Sequence, residues 1–366
     1  MHILMTADTV GGVWTYAQEL VSGLVGRGHR VTLVSLGGPA SASGLEWMDG
    51  LQGLDYRTTN FRLEWMQNSE RDIEASTDLL YQVIDEVQPD LLHFNQYCYG
   101  DLATDLPKVV VAHSDVVSWW IGVHGHEPED NPWIRSYRRT ITSGLRGADL
   151  VVAPSQWMLG ALADAYGKPS VTAVIYNGRN PSQFDPQRQK QDRVVSVGRI
   201  WDEAKQVALL GQKTLPIPVW IAGETREPGN DPGDTSLTQS TTINFCGVQS
   251  QQQLRDLYAH SSIYAATSCY EPFGLAPLEA ALSGCALLMN DLPVFRELWG
   301  DSAAYFKTND ADDLQSMITL LTRNTKLRET LAKRALSRAL SEFSAARMIE
   351  QYESIYEDVS AAQKVA

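Results

Sequence analysis

The sequence predicts an α/β protein built as two doubly wound domains in series, each a parallel sheet with helices on both faces, facing one another across a central cleft. Three observations predict it. Short apolar strands alternate with helical periods from residue 2 to residue 178. The alternation stops over residues 179–192, which carry two prolines, several glutamines, mixed charge and little to bury. It then restarts at Arg193 with the same scheme.

The first half runs as follows. Residues 2–7 read as a short buried strand, followed by a glycine turn at Gly11-Gly12. Val13, Ala17, Leu20, Val21 and Leu24 then fall on one face of a helix. Gly26-Arg-Gly28 ends that helix, and Val31-Thr-Leu-Val-Ser-Leu is the next strand, which completes a β-α-β unit and seeds a parallel sheet. Residues 38–70 read as irregular and carry Trp47 and Trp65. Helix returns at about 70–87, and strands follow at Pro89–Phe94 and Lys108–His113. Residues 118–132, rich in Trp, Gly, His and Pro, read as a loop before a helix over about 133–146. Asp149–Pro154 is a strand, Ser155 caps the next helix, and Val174–Gly178 closes the half.

In the second half the strands are Arg193–Gly198, Val219–Gly223, Ile243–Gly247, Ile263–Ala266 and Ala286–Met289. Helices are expected between them, for example at about 250–260 and 276–284, and from about 310 the chain reads as mostly helical. The expected domains are therefore 1–178 and 193–344, joined by a linker at 179–192. In such sheets ligands bind at the carboxyl ends of the strands. Gly12, His113, Gly198-Arg199, Gly247 and Glu271 all lie at such ends.

The most telling stretch is Glu271-Pro-Phe-Gly-Leu-Ala-Pro-Leu-Glu279. It follows the apolar run Ile263-Tyr-Ala-Ala and turns from loop into helix. A strand, a loop and a helix N-terminus offer backbone N–H groups and a positive dipole end to a phosphate. One acid on the loop and a second about two helical turns further on can hold the hydroxyls of a sugar and of a ribose.

Other candidates have a functional and a plain reading. Gly11-Gly12 lets backbone approach a diphosphate or is simply a tight turn. It lacks the dinucleotide fingerprint G-x-G-x-x-G, which disfavours NAD. Arg199 and Lys205, after a strand end, can neutralise a leaving diphosphate without a metal, or be solvated surface charges. His113 can hydrogen-bond a sugar hydroxyl or transfer a proton, or be satisfied by nearby backbone. His124-Gly-His126-Glu127 could hold a metal, but the loop offers no further ligand and no metal is expected. Asp310-Ala-Asp312, with Asp313 next, reads as a helix N-cap with an acidic first turn rather than a metal site. Of ten tryptophans, seven precede residue 160; Trp47, Trp65, Trp119, Trp120 and Trp133 sit in expected loops or at element ends. Aromatic faces stack on sugar rings, and about two of these are expected to touch a ligand, the rest being packing.

Composition sets the outer limits. With 30 basic against 44 acidic residues the formal net charge is −14, which argues against nucleic acid as a partner and disfavours an anionic membrane face. The four cysteines, Cys98, Cys246, Cys269 and Cys285, form no C-x-x-C pair and read as free thiols in a reducing compartment. No apolar run has the length of a membrane span, and the N-terminus enters Ile3-Leu-Met-Thr-Ala directly, so a cytoplasmic protein without an integral membrane segment is expected.

Taken together, these residues resemble the retaining nucleotide-sugar glycosyltransferases of family 4, which have the two-domain GT-B fold of two Rossmann-like domains. The likeness spans nearly the whole chain. It includes the early Gly-Gly, Gly28-His29-Arg-Val, Pro89-Asp-Leu-Leu-His93, Val111-Ala-His113-Ser-Asp, Ala153-Pro-Ser155, Tyr176-Asn-Gly178, Val197-Gly-Arg199 with Lys205, and above all the glutamate pair. The resemblance implies that Arg199 and Lys205 grip the donor diphosphate and that Glu279 binds the ribose. It gives Glu271 the donor sugar, with the backbone of Phe273, Gly274 and Leu275 closing on sugar and phosphate. Gly12 would approach the diphosphate, His113 would hold the sugar, and Gly247 and Val248 would lie near the base. A helix over about 345–366 would cross back onto the first domain. Three positions depart from the pattern: Lys205 lies one residue further from Arg199 than usual, Gln206 replaces the glycine that usually follows, and Asn95 stands where a second histidine often occurs.

The expected activity is thus transfer of a sugar, with retention, from a nucleotide diphosphate donor to an acceptor hydroxyl. UDP-sugars are the commonest donors for such proteins, and no cofactor is expected. Two rivals use the same scaffold: an epimerase or phosphorylase, and a binding protein with a decayed site.

Overall fold

A computed structural model describes residues 1–40, 44–225 and 242–363 of the chain. The chain divides into two compact units: Met1–Ile121, His126–Gly178 and the segment from Ala345 onward form unit 1, while Gly122–Gly125 and Arg179–Ser344 form unit 2.

Unit 1 is built from β1 (His2–Asp8), α1 (Gly12–Gly26), β2 (Arg30–Leu36), β3 (Leu54–Thr58), α2 (Glu70–Val87), β4 (Leu91–Phe94), β5 (Lys108–Val111), most of α3 (Val116–His124, whose end from Gly122 is grouped with unit 2), α4 (Pro132–Gly147), β6 (Leu150–Ala153), α5 (Gln156–Tyr166) and β7 (Thr172–Val174). Its sheet is parallel, in the order β3-β2-β1-β4-β5-β6-β7. Side chains alternate across a strand, so β1 feeds two cores at once: Ile3, Met5 and Ala7 join one, and Leu4 joins the other with Val34, Leu92 and Val110. Both faces are covered, which is why β1 is buried along its whole length.

Two elements differ from the sequence reading. The stretch read as irregular contains β3, an edge strand pairing with β2 from Val31↔Leu54 to Ser35↔Thr58. Its pattern Leu-Asp-Tyr-Arg-Thr is short and half polar, as an edge strand tolerates. The expected loop at 118–132 begins as α3. Asp115 caps it, accepting from Ser118 N at 2.9 Å, so the aromatic and β-branched run that follows is helical despite weak propensity. Ser155 does cap α5, accepting from Met158 N at 3.1 Å.

Unit 2 contains β8 (Gln191–Val197), β9 (Val219–Ala222), β10 (Ile243–Gly247), α6 (Gln251–His260), β11 (Ser261–Ala266), α7 (Leu275–Leu282), β12 (Ala286–Asn290), α8 (Pro293–Trp299), β13 (Ala304–Phe306), α9 (Ala311–Arg323) and α10 (Thr325–Glu342). Its parallel sheet runs β10-β9-β8-β11-β12-β13. The chain moves from β8 outward to β10, then returns to place β11 on the other side of β8. The β8/β11 boundary is therefore the switch point at which doubly wound sheets bind ligands. Asp310 caps α9, accepting from Asp313 N at 2.9 Å, with Asp312 and Asp313 in the first turn. The stretch read as having little to bury contributes two buried side chains, Arg179 and Phe184.

The last helix, α11 (Ala345–Gln363), belongs to unit 1 and inserts Met348, Ile349, Tyr352 and Tyr356 into the α1 side of its core. Residues 364–366 of the expected 345–366 helix lie outside the described residues. A Cβ at Gly23 would lie 1.9 Å from Ile349 Cδ1, so α1 needs glycine there to receive α11.

Candidate functional site

In unit 2 the switch point is lined by the loop after β8, Gly198–Gln206, and the loop after β11, Thr267–Gly274. The two are laced together. Thr267 Oγ1 donates to Lys205 O at 2.7 Å, and Cys269 N donates to Ala204 O at 2.8 Å. Glycine permits the close approach beneath them: a Cβ at Gly223 (φ 148°) would lie 1.8 Å from Gly198 O.

This lacing brings together the residues predicted for chemistry. Lys205 Nζ lies 2.5 Å from Glu271 Oε2. Arg199 donates to Asp202 Oδ2 at 2.7 Å, and its guanidinium lies 5.0 Å from the centre of the Trp201 ring. Asp202 is buried and also accepts from Ala204 N at 3.0 Å, so the carboxylate that steadies Arg199 also sets the turn carrying Lys205. The two cations thus occupy one loop, each held by an acid. Gln206, at the glycine position of the resemblance, takes the left-handed conformation that a glycine would adopt freely (φ 44°).

The Glu271–Glu279 stretch is a loop that becomes α7. Gly274 (φ 91°) precedes the helix, and a Cβ there would press on Pro277 and Glu271. Leu275 opens the helix, while Phe273 is buried and packs edge-on against Phe343, ring centres 5.5 Å apart. Glu279, in the body of α7, pairs with Arg179, whose Nε lies 3.0 Å from Oε1. Burial pushes the Glu279 carboxyl above its ordinary range, while the Arg179 and Arg255 cations pull it back. Arg179 escaped the sequence reading because a lone cation in a polar stretch carries no mark of its partner 100 residues later. At the edge of the same sheet, Gly247 (φ 65°) ends β10 and accepts from Gly223 N at 2.9 Å, and Val248 beside it is exposed.

In unit 1, Gly11 (φ 83°) precedes α1, and Gly12 opens it exposed. His113 follows β5 and is partly buried. Its Nε2 lies 2.7 Å from Asn95 Oδ1, and its ring meets Tyr16 edge-on, centres 4.6 Å apart. Burial, with a smaller contribution from His93, lowers its pKa to about 3, so the ring is neutral near pH 7. His93 is fully buried and likewise lowered to about 3 by burial; Tyr356 Oη lies 2.7 Å from its Nδ1. His126 Nδ1 lies 2.8 Å from Glu127 O, and Glu127 pairs with Arg138. Among the described residues no three His, Cys, Asp or Glu side chains group as metal ligands. Trp14 and Trp47 pack edge-on against each other, an arrangement of core rather than of a platform.

Known proteins resemble this chain in sequence and in fold. The profile of Glycosyltransferase Family 4 matches residues 10–183, and that of Glycosyl transferases group 1 matches residues 187–338. The O-antigen chain mannosyltransferase RfbU of Salmonella typhimurium is 24% identical over a stretch covering 50% of this chain and 53% of that protein. An uncharacterised glycosyltransferase of Methanocaldococcus jannaschii is 22% identical over 79% of each chain. Among solved structures, the sucrose-phosphate synthase of Thermosynechococcus elongatus superposes with a TM-score of 0.79 at 17% identity, covering 99% of this chain and 100% of that one. HepE of Anabaena, solved with UDP and glucose, superposes with a TM-score of 0.74 at 17% identity, covering 98% and 100%.

Proposed function

Since the chain belongs to the family 4 glycosyltransferases and has their GT-B fold, we propose that it moves a hexosyl group from a nucleoside-diphosphate sugar, a UDP-sugar first among them, to an acceptor hydroxyl with retention at the anomeric carbon. One observation carries this reading: Lys205 Nζ and Glu271 Oε2, 2.5 Å apart on two laced loops at the switch point, with Arg199 on the same loop as Lys205. It is a cationic anchor with an acid at the mouth of a helix. That HepE is solved with UDP-glucose supports the choice of donor.

On this reading Arg199 and Lys205 neutralise the diphosphate as the bond from the anomeric carbon to its oxygen breaks. The N–H groups at Gly274 and Leu275 add to that stabilisation, with the backbone of Phe273 close by. Glu271 holds the donor sugar, Glu279 the ribose, and Gly247 with Val248 the base. The family roles give Gly12 to the diphosphate and His113 to the sugar. The acceptor oxygen bonds to the anomeric carbon on the face the leaving group vacates, and its proton passes to the departing phosphate oxygen. No protein nucleophile is needed, and the protein contributes fixed charge and position.

The test is a thermal-shift panel of UDP-, GDP- and ADP-sugars, followed by product analysis. A melting point raised by one nucleotide sugar, free nucleoside diphosphate released only with an acceptor or by slow hydrolysis, and a product of unchanged anomeric configuration are expected. Sugar epimerised without release of nucleotide, or turnover that requires inorganic phosphate, would replace this reading with an epimerase or a phosphorylase.

A further inference from the structure

We propose that Asn95 is a positioning residue that fixes the tautomer of His113, so that His113 offers a bare Nδ1 acceptor and takes a sugar hydroxyl that donates to it. The proposal rests on the reading of the chain as a sugar transferase, and its first half can be tested without that reading.

The assignment follows from hydrogen-bond roles around a ring that burial keeps neutral. Asn95 follows β4 and is buried. One end of its carboxamide lies 2.7 Å from Thr6 O, a backbone carbonyl that can only accept. That end is therefore the NH2 group, and the other end is Oδ1. Oδ1 lies 2.7 Å from His113 Nε2 and can itself only accept, so Nε2 carries the proton. A neutral imidazole has one such proton, which leaves Nδ1 a bare lone pair. Nδ1 hydrogen-bonds to no described residue and is not among the sealed polar atoms.

The surroundings keep this arrangement in one state. Tyr16 braces the ring edge-on, and His93 lies behind Asn95 with Nε2 3.4 Å from the same Oδ1. Asn95 N also donates to Thr6 Oγ1 at 3.2 Å, so the residue is tied to β1 by both its backbone and its side chain. At position 95 the carboxamide supplies both roles at once, an NH2 donor for the Thr6 carbonyl and an acceptor for the His113 imidazole. His113 so held can accept from an O–H group. It cannot donate, and it meets a phosphate, carbonyl or ether oxygen lone pair to lone pair.

Two measurements decide the matter. Long-range proton–nitrogen NMR of histidine-labelled wild-type protein reports the tautomer directly. The Nε2–H form is expected for His113 in the free protein, and the Nδ1–H form there would overturn the proposal, whether or not any variant folds. In Asn95→Ala the signal is expected to become a mixture of both forms. Steady-state kinetics with UDP-glucose and its monodeoxyfluoro analogues then tests the ligand. Loss of one particular hydroxyl is expected to lower kcat/KM about tenfold in wild type, and by much less in Asn95→Ala and His113→Ala. Equal sensitivity to every hydroxyl in all three proteins would overturn the second half. If no UDP-sugar turns over at all, the donor reading is what has failed, and the NMR result stands by itself.

Discussion

Arg179 Nε lies 3.0 Å from Glu279 Oε1, and both side chains are largely out of water, 2% and 13% exposed. Arg179 is the first residue of the main segment of unit 2 and pairs in register with Ser344, the last. Its N–H donates to Phe343 O at 3.1 Å. A guanidinium fixed at the backbone in this way sets both the place and the charge of the acid proposed to hold the ribose.

Arg179→Met should therefore separate charge from shape. With the cation gone, a buried carboxyl already raised by desolvation rises further. Breaking a buried pair costs about 3–5 kcal/mol, because the remaining charge is left uncompensated. A raised carboxyl pKa stabilises the fold below the unfolded pKa, and that stability is lost as pH rises toward the folded value. The variant should thus melt lowest at neutral and higher pH, and adding Glu279→Gln should recover much of the loss. In kinetics, donor KM should rise more than kcat falls, with the defect worst on the acid side, where Glu279 is protonated. Melting curves of the single and double variants that coincide at all pH values would contradict this.

Lys205 and Glu271 are joined by one short ion pair, so their contributions to turnover should not add. Lys205→Ala and Glu271→Ala should each lower kcat by about a hundredfold, the range for removing one preorganised electrostatic partner. The double variant should be little worse than either single one. Melting points should move by only a few degrees, because both side chains are partly open to solvent, 21% and 16% exposed, and open pairs add little stability. Near-wild-type kcat in both single variants would remove Lys205 from the diphosphate and Glu271 from the donor sugar.

The elements that place this pair were legible from sequence. Strands buried on both faces write their apolar runs plainly, as at Val194-Val195 and Ile263–Ala266. Ser155 and Asp310 announced their helices because capping is a local signal. Long-range pairings left no such mark. Nothing near Arg179 in the chain points to Glu279, and nothing near Asn95 points to Thr6 O and His113 at once. The helix α3 was hidden for a different reason: its Trp- and Val-rich run has weak helix propensity, and the structure is decided by the Asp115 cap and by burial of Val117.

Gln206 gives a prediction on stability. It holds a left-handed backbone (φ 44°), costing roughly 1 kcal/mol for a residue with a Cβ, and its side-chain Oε1 is buried without a partner. Gln206→Gly removes both costs, against the greater chain entropy of glycine in the unfolded state. The variant should be as stable as wild type or about 1 kcal/mol more stable by urea denaturation. Gln206→Val, β-branched at the same positive φ, should be clearly less stable. A Gln206→Gly protein that unfolds more readily than Gln206→Val would show that the side chain, and not the backbone, governs this turn.

Two of the histidines of unit 1, His93 and His113, predict how the fold meets acid. His93 and His113 have folded pKa values of about 3, against an ordinary 6.5, chiefly because burial penalises the imidazolium. Between those values the unfolded chain binds a proton at each site and the folded chain does not. Their contribution to stability is therefore complete above pH 6.5 and is lost as pH falls toward 3. Each can add a slope of up to about 1.4 kcal/mol per pH unit. Glu64, Asp115 and Glu279 act in the opposite sense, since burial raises them and the folded chain holds their protons more tightly. A single acid-unfolding curve mixes both effects, so the comparison must be with His113→Asn. Near neutral pH the two proteins should differ by a constant amount. Below pH 6.5 the gap should close, because only wild type is losing the His113 contribution. A gap that stays constant down to pH 4.5, or an NMR titration of His113 centred near 6.5, would mean that the ring is open to protonation and that burial does not hold it neutral.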